Sequence, residues 1–271
     1  MDRTREMPIV MRWNQVALAA VTIMLIAVPE AARSEPEGAA ATRAAGLVPL
    51  AEIEPSIQQD IRYAGPHNFT GQRVPGYEAA ACWLRPEAAR ALAKVQADLA
   101  RQTPPLSLRV FDCYRPRRAV QAFVRWVGEA DDGATRSYHP DVARRSLVAQ
   151  GYIGPNSSHS RGIAVDLTLM RPSKIPDGAT PQSNGTVLTD CTKPRGDNAD
   201  GPGTLDMGTT FDCFDPKSNT AHAGITAEQR TARLTLKRVM ERHGFTNYAR
   251  EWWHFTYSGA DGGRPFDVPV R

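Results

Sequence analysis

His159 and Asp166 are the first residues whose types and spacing could do chemistry together. His159 ends a loop rich in Gly, Asn and Ser, and Asp166 lies in residues 163–169, where apolar and polar residues alternate as in a strand. Zinc binds imidazole nitrogen and carboxylate oxygen, and a carboxylate on a half-buried strand needs a partner. The two residues are therefore candidates for half of a metal site. Taken alone, they fit a loop histidine and an edge-strand carboxylate equally well.

A second group of candidates lies in residues 251–255, which read EWWHF. His254 could complete a set of two histidines and one aspartate, which leaves the fourth position of a catalytic zinc open for water. Glu251 is near enough in sequence to act as general base on that water. Because residues three apart on a regular strand point to opposite faces, Glu251 must lie in a loop or bulge before the strand. An aromatic core strand with a hydrogen-bonded histidine is the alternative interpretation.

The third candidate is Arg115, which follows a short apolar segment and precedes Pro116. A positive charge held rigidly at that place could stabilise the oxyanion of a tetrahedral intermediate. A surface arginine paired with Asp112 explains the same residues equally well.

Hydrophobic spacing indicates the elements that must position these residues. Helices are predicted from Pro86 to the prolines at 104–105, over residues 120–127, and from a capping box at Thr226 and Gln229 to Gly244. Strands are predicted over residues 106–110, 163–169 and 252–257. The predicted strands and helices do not alternate regularly as in βαβ units, so we expect an α+β fold. Residues 171–205 are rich in Pro, Gly, Asn and Asp, and they predict a long surface loop.

The amino terminus has the layout of a secretory signal peptide. Three arginines lie within residues 1–14, residues 16–28 are almost entirely apolar, and small residues precede Glu35. The apolar run is short for a membrane-spanning helix, which needs about 20 residues. We predict cleavage after Ser34, no membrane span in the remaining chain and a periplasmic or secreted protein. An uncleaved membrane anchor is the alternative. Residues 35–46 predict a flexible leader ahead of a single domain, residues 47–271.

Charge and cysteine content restrict the classes of function. The formal net charge is +4, and the basic residues are scattered, which argues against nucleic acid as a partner. In an exported protein an even number of cysteines favours disulfides over a metal–thiolate cluster. Three pairings of the four cysteines are possible. We prefer Cys82–Cys113 and Cys191–Cys213, because each joins segments close in sequence and the second would hold the long loop.

Together these segments resemble the D-alanyl-D-alanine dipeptidases of the VanX type, within the wider family of zinc D,D-peptidases related to the Hedgehog amino-terminal domain. The family pattern SxHxxGxAxD matches residues 157–166, and the pattern ExxH matches residues 251–254. The resemblance covers about residues 47–271. Further matching segments are Tyr63 with residues 68–71, residues 114–116 and residues 206–212.

The resemblance implies a single-domain α+β fold with a mostly antiparallel central sheet flanked by helices. It implies zinc-dependent hydrolysis of D-Ala-D-Ala, a small dipeptide partner, to free D-alanine in cell-wall peptide metabolism. The export signal, the cysteines and the insertion at about 171–205, a candidate lid, depart from the VanX type and leave substrate size open. The alternatives are a D,D-carboxypeptidase acting on peptidoglycan stem peptides and a catalytically silent zinc-containing cell-wall-binding module. A mere binder would need neither Glu251 nor Arg115.

The resemblance also implies a role for individual residues. One Zn²⁺ per chain is expected on His159, Asp166 and His254, with Glu251 as general base and Arg115 on the oxyanion. Three further residues are expected to hold the charged ends of the dipeptide: Asp212, Tyr63 and Ser157. A free dipeptide carries an ammonium group, and a carboxylate such as that of Asp212 suits it. The simpler interpretation of Asp212 is a helix cap or turn residue.

Overall fold

A five-stranded sheet carries most of the candidate residues in the computed structural model of the chain. The structure describes Met1 and residues 37–172, 190–193, 196–261 and 263–271. The predicted signal peptide, residues 1–34, lies outside the described residues except for Met1, as does the middle of the predicted loop 171–205. Within the described part of the chain, no helix has the length and apolar character needed to cross a membrane.

Seven strands and five α-helices make up the regular structure of the described residues. The strands are β1 (Val48–Pro49), β2 (Gln58–Gln59), β3 (Trp83–Leu84), β4 (Ser107–Asp112), β5 (Ala164–Met170), β6 (Phe245–Asn247) and β7 (His254–Tyr257). The helices are α1 (Glu37–Ala44), α2 (Leu50–Ile53), α3 (Pro86–Ala100), α4 (Arg117–Gly128) and α5 (Ala227–Arg242). The α+β class predicted from the sequence is confirmed.

The main sheet has the strand order β2-β4-β5-β7-β6, and all its neighbouring pairs are antiparallel except the parallel pair β2–β4. A second, two-stranded antiparallel sheet pairs β1 with β3. The register between β4 and β5 shifts between Val110 and Asp112, and this places Asp112 opposite Asp166. On its other side Asp166 is opposite His254. A bulge of this kind re-aims side chains, and here it brings three polar residues side by side across three strands.

The helices bury the apolar stripes that the sequence predicts, with one exception. Leu92, Val95 and Leu99 of α3 are fully buried, and the capping box of Thr226 and Gln229 opens α5. Leu234 of α5, however, is 40% exposed. Leu236 takes the buried position instead, together with Val239 and Met240.

Residues 35–46 are predicted to be a flexible leader, but in the structure Glu37–Ala44 form helix α1. Thr42 is fully buried, and its Oγ1 donates a hydrogen bond to the carbonyl oxygen of Pro269. The alanine-rich composition suggested little to bury, but alanine has the highest intrinsic helix propensity. This contact with the distant carboxyl-terminal segment helps to hold the helix, as does Arg43, which pairs with Glu52 and lies over the ring of Trp83.

Both disulfides have the pairing preferred from the sequence. Cys82 is bonded to Cys113 with a Cα–Cα distance of 5.2 Å, and Cys191 to Cys213 with a distance of 5.4 Å. The first bridge ties the segment before β3 to the residue that follows β4. The second ties Cys191, within the long loop, to the residue after Asp212.

Candidate active site

Three predicted metal ligands converge in the structure. The distance between His159 Nε2 and His254 Nδ1 is 3.1 Å, that between His254 Nδ1 and Asp166 Oδ1 is 3.0 Å, and that between His159 Nε2 and Asp166 Oδ1 is 3.3 Å. Ligand atoms at about 2.1 Å from a tetrahedral zinc lie about 3.4 Å apart. The spacing of these three atoms therefore fits a small metal ion.

Hydrogen bonds on the outer side of each imidazole direct its free lone pair towards this point. His159 Nδ1 lies 2.6 Å from the carbonyl oxygen of Cys113, so Nδ1 carries the proton and donates it. His254 Nε2 lies 3.3 Å from Thr256 Oγ1, which leaves Nδ1 as the inward atom. Two nitrogen lone pairs and a carboxylate oxygen repel one another unless a cation lies among them. This donor set, with its outer partners, is typical of a metal site.

Local backbone structure explains how His159 reaches the sheet. It lies in a single 3-10 turn, Ser158–Arg161, whose first amide groups are capped by Ser157, because Ser157 Oγ accepts a hydrogen bond from His159 N at 3.3 Å. The turn ends at Gly162, which has φ +71°; a Cβ there would lie 2.4 Å from Leu47 Cδ2. Only glycine fits both the left-handed conformation and the close approach. Ser157 thus supports a candidate ligand as well as lining the site.

Glu251 lies in a turn before β7. This position was expected, because residues three apart on a regular strand would point to opposite faces. Glu251 N donates to the carbonyl oxygen of Tyr248, and His254 N donates to that of Glu251. The strand predicted from residue 252 therefore begins only at His254. Burial raises the pKa of the Glu251 carboxyl well above its ordinary value, the charges of Asp166 and Asp212 raise it further, and Arg115 opposes them. Such a carboxylate is a stronger proton acceptor than an exposed one.

Arg115 is paired with Asp112, as the simpler interpretation has it, but Asp112 is fully buried and only 13% of the Arg115 side chain is exposed. Arg115 Nε donates to Asp112 Oδ2 at 2.9 Å, and Nη2 donates to Asp166 Oδ2 at 3.3 Å. The guanidinium also lies over the rings of Tyr63 and Phe123. Burial alone would lower its pKa, but Asp112 and the other acidic neighbours hold the pKa of Arg115 well above its ordinary value. The side chain is a fixed positive charge in the site.

Asp112 contacts the site residues directly, although the sequence suggested it only as a surface partner of Arg115. It is fully buried, and it accepts a hydrogen bond from the hydroxyl group of Tyr77 as well as from Arg115. The signal was present in the sequence, since an aspartate that ends an apolar strand three residues before an arginine is a candidate for a buried pair. No local pattern pointed to Tyr77, because it lies 35 residues before Asp112 in the chain.

Asp212 and Tyr63 are in direct contact. The hydroxyl group of Tyr63 donates to both carboxylate oxygens of Asp212, at 2.9 and 3.1 Å. Asp212 has φ +57°, a left-handed conformation that is uncommon for residues other than glycine. Burial raises the pKa of its carboxyl well above the ordinary value, the charge of Asp166 adds to this, and Arg115 opposes it. A positively charged ligand group beside it would offset that effect.

One cavity of about 280 Å³ brings all eight predicted site residues together: Tyr63, Arg115, Ser157, His159, Asp166, Asp212, Glu251 and His254. The sequence reasoning missed its aromatic wall, which includes Phe69, Phe123, Tyr152 and Phe214. It also missed Tyr248, whose hydroxyl group donates to the carbonyl oxygen of Gly151 at 3.0 Å. Tyr248 is 38% exposed and Gly151 is exposed, so this bond joins two sides of the cavity at its outer edge.

Comparison with known proteins shows which family this chain resembles in sequence. The family model described as D-Ala-D-Ala dipeptidase, peptidase M15, matches residues 43–176 and 180–269. The chain is 34% identical to a D-alanyl-D-alanine dipeptidase of Enterococcus faecium, over 83% of this chain and 98% of the relative. It is 32% identical to proteins of the same name from Enterococcus faecalis, over 78% of this chain and 90% of the relative, and from Streptomyces coelicolor, over 76% and 88%.

Proposed function

Because the chain belongs to the D-Ala-D-Ala dipeptidase family of M15 metallopeptidases, we propose that it hydrolyses the D-Ala-D-Ala dipeptide to two molecules of D-alanine, with zinc as its metal. The observation that carries the proposal is the convergence of three metal donors, a buried carboxylate and an arginine fixed by two carboxylates on one cavity. A metal-binding module without catalysis would need the three donors but neither Glu251 nor Arg115.

His159, Asp166 and His254 would hold the metal, and their chemistry favours zinc. Two imidazoles and one carboxylate at these separations match the ligand types of catalytic zinc sites, which keep one position open. When bound, zinc supplies a Lewis acid for the scissile carbonyl and lowers the pKa of a water molecule. The hydrogen bond from His159 Nδ1 to Cys113 fixes the tautomer that leaves Nε2 free for the metal.

Glu251 would move the protons. Its carboxylate, made more basic by burial, accepts the proton of the attacking water and returns it to the leaving amine. Arg115 would stabilise the negative charge that develops on the carbonyl oxygen, since Asp112 and Asp166 hold its guanidinium in a fixed orientation. Because the orientation exists before the substrate binds, little reorganisation is needed during the reaction.

Asp212 would bind the ammonium group of the dipeptide. Its carboxylate is already oriented by Tyr63 and lines the same cavity as the metal ligands. Ser157 lies at the cavity beside His159 and has a hydroxyl group that can bind the other charged end. A pair of such contacts fixes the scissile bond against the catalytic groups, which contributes to the rate through orientation.

We further propose that residues 1–34 are removed as a signal peptide and that the mature enzyme acts in the periplasm or outside the cell, in cell-wall peptide metabolism. The two disulfides support this proposal, since disulfides form and persist in oxidising compartments.

The decisive assay compares free D-Ala-D-Ala with N-acetyl-D-Ala-D-Ala, each with and without a chelator. We expect hydrolysis of the free dipeptide, loss of activity with chelator and recovery on addition of zinc. Preference for the acylated substrate would instead indicate a D,D-carboxypeptidase. Tight zinc binding without hydrolysis of either substrate would indicate a binding module.

A further inference from the structure

We propose that Asp200, at the end of the long loop, is a positioning residue that holds Asp212 in the conformation that binds substrate. This inference rests on the proposed function, because it takes Asp212 as the ligand of the substrate ammonium group. Asp200 lies outside the cavity that contains the metal donors, so it acts through other residues.

Asp212 needs support from its surroundings. A residue other than glycine with φ near +57° lies in a sparsely populated region, and such conformations persist only when neighbouring contacts over-determine them. The segment would therefore relax away from the site unless the residue before Asp212 were fixed.

Asp200 fixes that residue. Both carboxylate oxygens of Asp200 accept the backbone N–H of Phe211, each at 3.1 Å, and Asp200 itself is 5% exposed. Its carbonyl oxygen accepts hydrogen bonds from Arg62 Nη2 and Arg109 Nη1, both at 3.0 Å. Arg109 lies within β4, so the loop end is tied to the central sheet.

The contacts close into a ring. Arg62 precedes Tyr63 in the chain, and the hydroxyl group of Tyr63 donates to Asp212. Asp212 follows Phe211, whose backbone N–H donates to the carboxylate of Asp200. The ring closes because the carbonyl oxygen of Asp200 accepts a hydrogen bond from Arg62. Ring stacking supports the same path, because the Arg62 guanidinium lies over the ring of Phe111, which stacks on Phe211 at 4.7 Å. Displacing the Asp200 carboxylate therefore releases Phe211 and, through it, Asp212, which we assign to the ammonium group.

The charges around Asp200 fit this role. Arg62 and Arg109 face the carboxylate from the segment after β2 and from β4, and Asp60 and Tyr138 lie in the same cluster. Burial raises the pKa of Asp200 to about 6, and Arg62 opposes the increase. Burying a charged carboxylate costs free energy of folding. Stability alone therefore does not explain why an aspartate lies at position 200.

The test uses Asp200→Asn in the full mature enzyme loaded with zinc, with Asp197→Asn as the matched control. Asp197 lies on the same loop and pairs with Arg171 on the exposed side. For Asp200→Asn we expect the KM for D-Ala-D-Ala to rise about tenfold, as for one weakened charged hydrogen bond. We expect kcat to stay within about threefold, since the reacting groups are untouched. The control should have the KM and kcat of the wild type.

An unchanged KM in folded, zinc-loaded Asp200→Asn would overturn the inference. So would a joint loss of kcat, zinc content and melting temperature, because that pattern indicates a general structural role. If Asp200→Asn does not fold, Arg62→Lys takes its place, since it weakens the hold on Asp200 and keeps the charge; it should also raise KM, and an unchanged KM would overturn the inference. Failure of the wild type to hydrolyse D-Ala-D-Ala would instead contradict the proposed function.

Discussion

The Nδ1 atom of His159 lies 2.6 Å from the carbonyl oxygen of Cys113, 46 residues earlier in the chain. Cys113 follows β4 directly and is bonded to Cys82, so its carbonyl group is fixed by a strand and by a disulfide. The hydrogen bond sets the tautomer of His159 and the direction of its ring. A covalent cross-link therefore supports a candidate metal ligand through one backbone group.

Loss of the Cys82–Cys113 bridge should weaken metal binding. In the double variant Cys82→Ser, Cys113→Ser the carbonyl group remains but is less constrained. Loss of an outer partner of a metal ligand costs about 10–100-fold in affinity, and we expect an effect near the lower end. Competition with a chromogenic zinc chelator measures it. An affinity equal to that of the wild type would show that β4 alone holds the carbonyl group.

Loss of the Cys191–Cys213 bridge should act on the substrate instead of the metal. Cys213 follows Asp212, and Cys191 N is bonded to the carbonyl oxygen of Ser137 on the other side. We therefore expect Cys191→Ser, Cys213→Ser to raise the KM for D-Ala-D-Ala while zinc affinity stays constant. The two double variants serve as controls for each other. If both changed KM and zinc affinity to the same extent, the assignment of one bridge to the substrate and the other to the metal would be wrong.

Replacing a metal ligand should remove the metal. We expect His159→Ala to lose zinc affinity by more than the ~10–100-fold that an outer partner contributes. His222→Ala is the control, because the ring of His222 accepts a hydrogen bond from Gly224 N outside the site. Metal analysis after dialysis against a weak chelator distinguishes them. Full zinc occupancy in His159→Ala would disprove the assignment of this ligand.

Replacing Glu251 should separate chemistry from binding. Glu251→Gln keeps the size of the side chain but cannot accept a proton, so kcat should fall by ~10²–10⁴-fold. Zinc content and KM should change little, since Glu251 is not assigned as a ligand. Glu241→Gln, on the exposed face of α5 where Glu241 pairs with Lys237, is the control. Normal turnover by zinc-loaded Glu251→Gln would refute the general-base role.

The raised pKa of Asp200 should appear in the pH dependence of stability. Burial raises this pKa to about 6, whereas the unfolded chain should have about 4. Between these values the folded state holds a proton that the unfolded state has released, so the free energy of unfolding falls as pH rises. A difference of about two units between the folded and unfolded pKa values corresponds to a fall of about 3 kcal/mol in the free energy of unfolding. Urea titrations across this window should show a smaller fall for Asp200→Asn, and parallel curves would contradict the assignment.

Local patterns in the chain were sufficient to predict the candidate metal donors and the candidate general base, which share one cavity in the structure, and the segments that carry them. A histidine in a turn, an aspartate in the next strand and a glutamate three residues before a histidine are short-range features. Helical and strand spacing are equally local, so α3, β5 and α5 could be predicted. The helix α1 could not, because its docking involves contacts with distant segments, such as that between Thr42 and Pro269.

Contacts between distant segments had to come from the folded chain. Three such contacts join residues far apart in sequence: the bulge that sets Asp112 opposite Asp166, the hydrogen bond from Arg115 to Asp166 and the support of Phe211 by Asp200. Hydrophobic periodicity reports which face of an element is buried, but it does not report which element lies against that face. Donor types and their local spacing are therefore a property of the amino-acid order, whereas the register between strands determines which donors share a cavity.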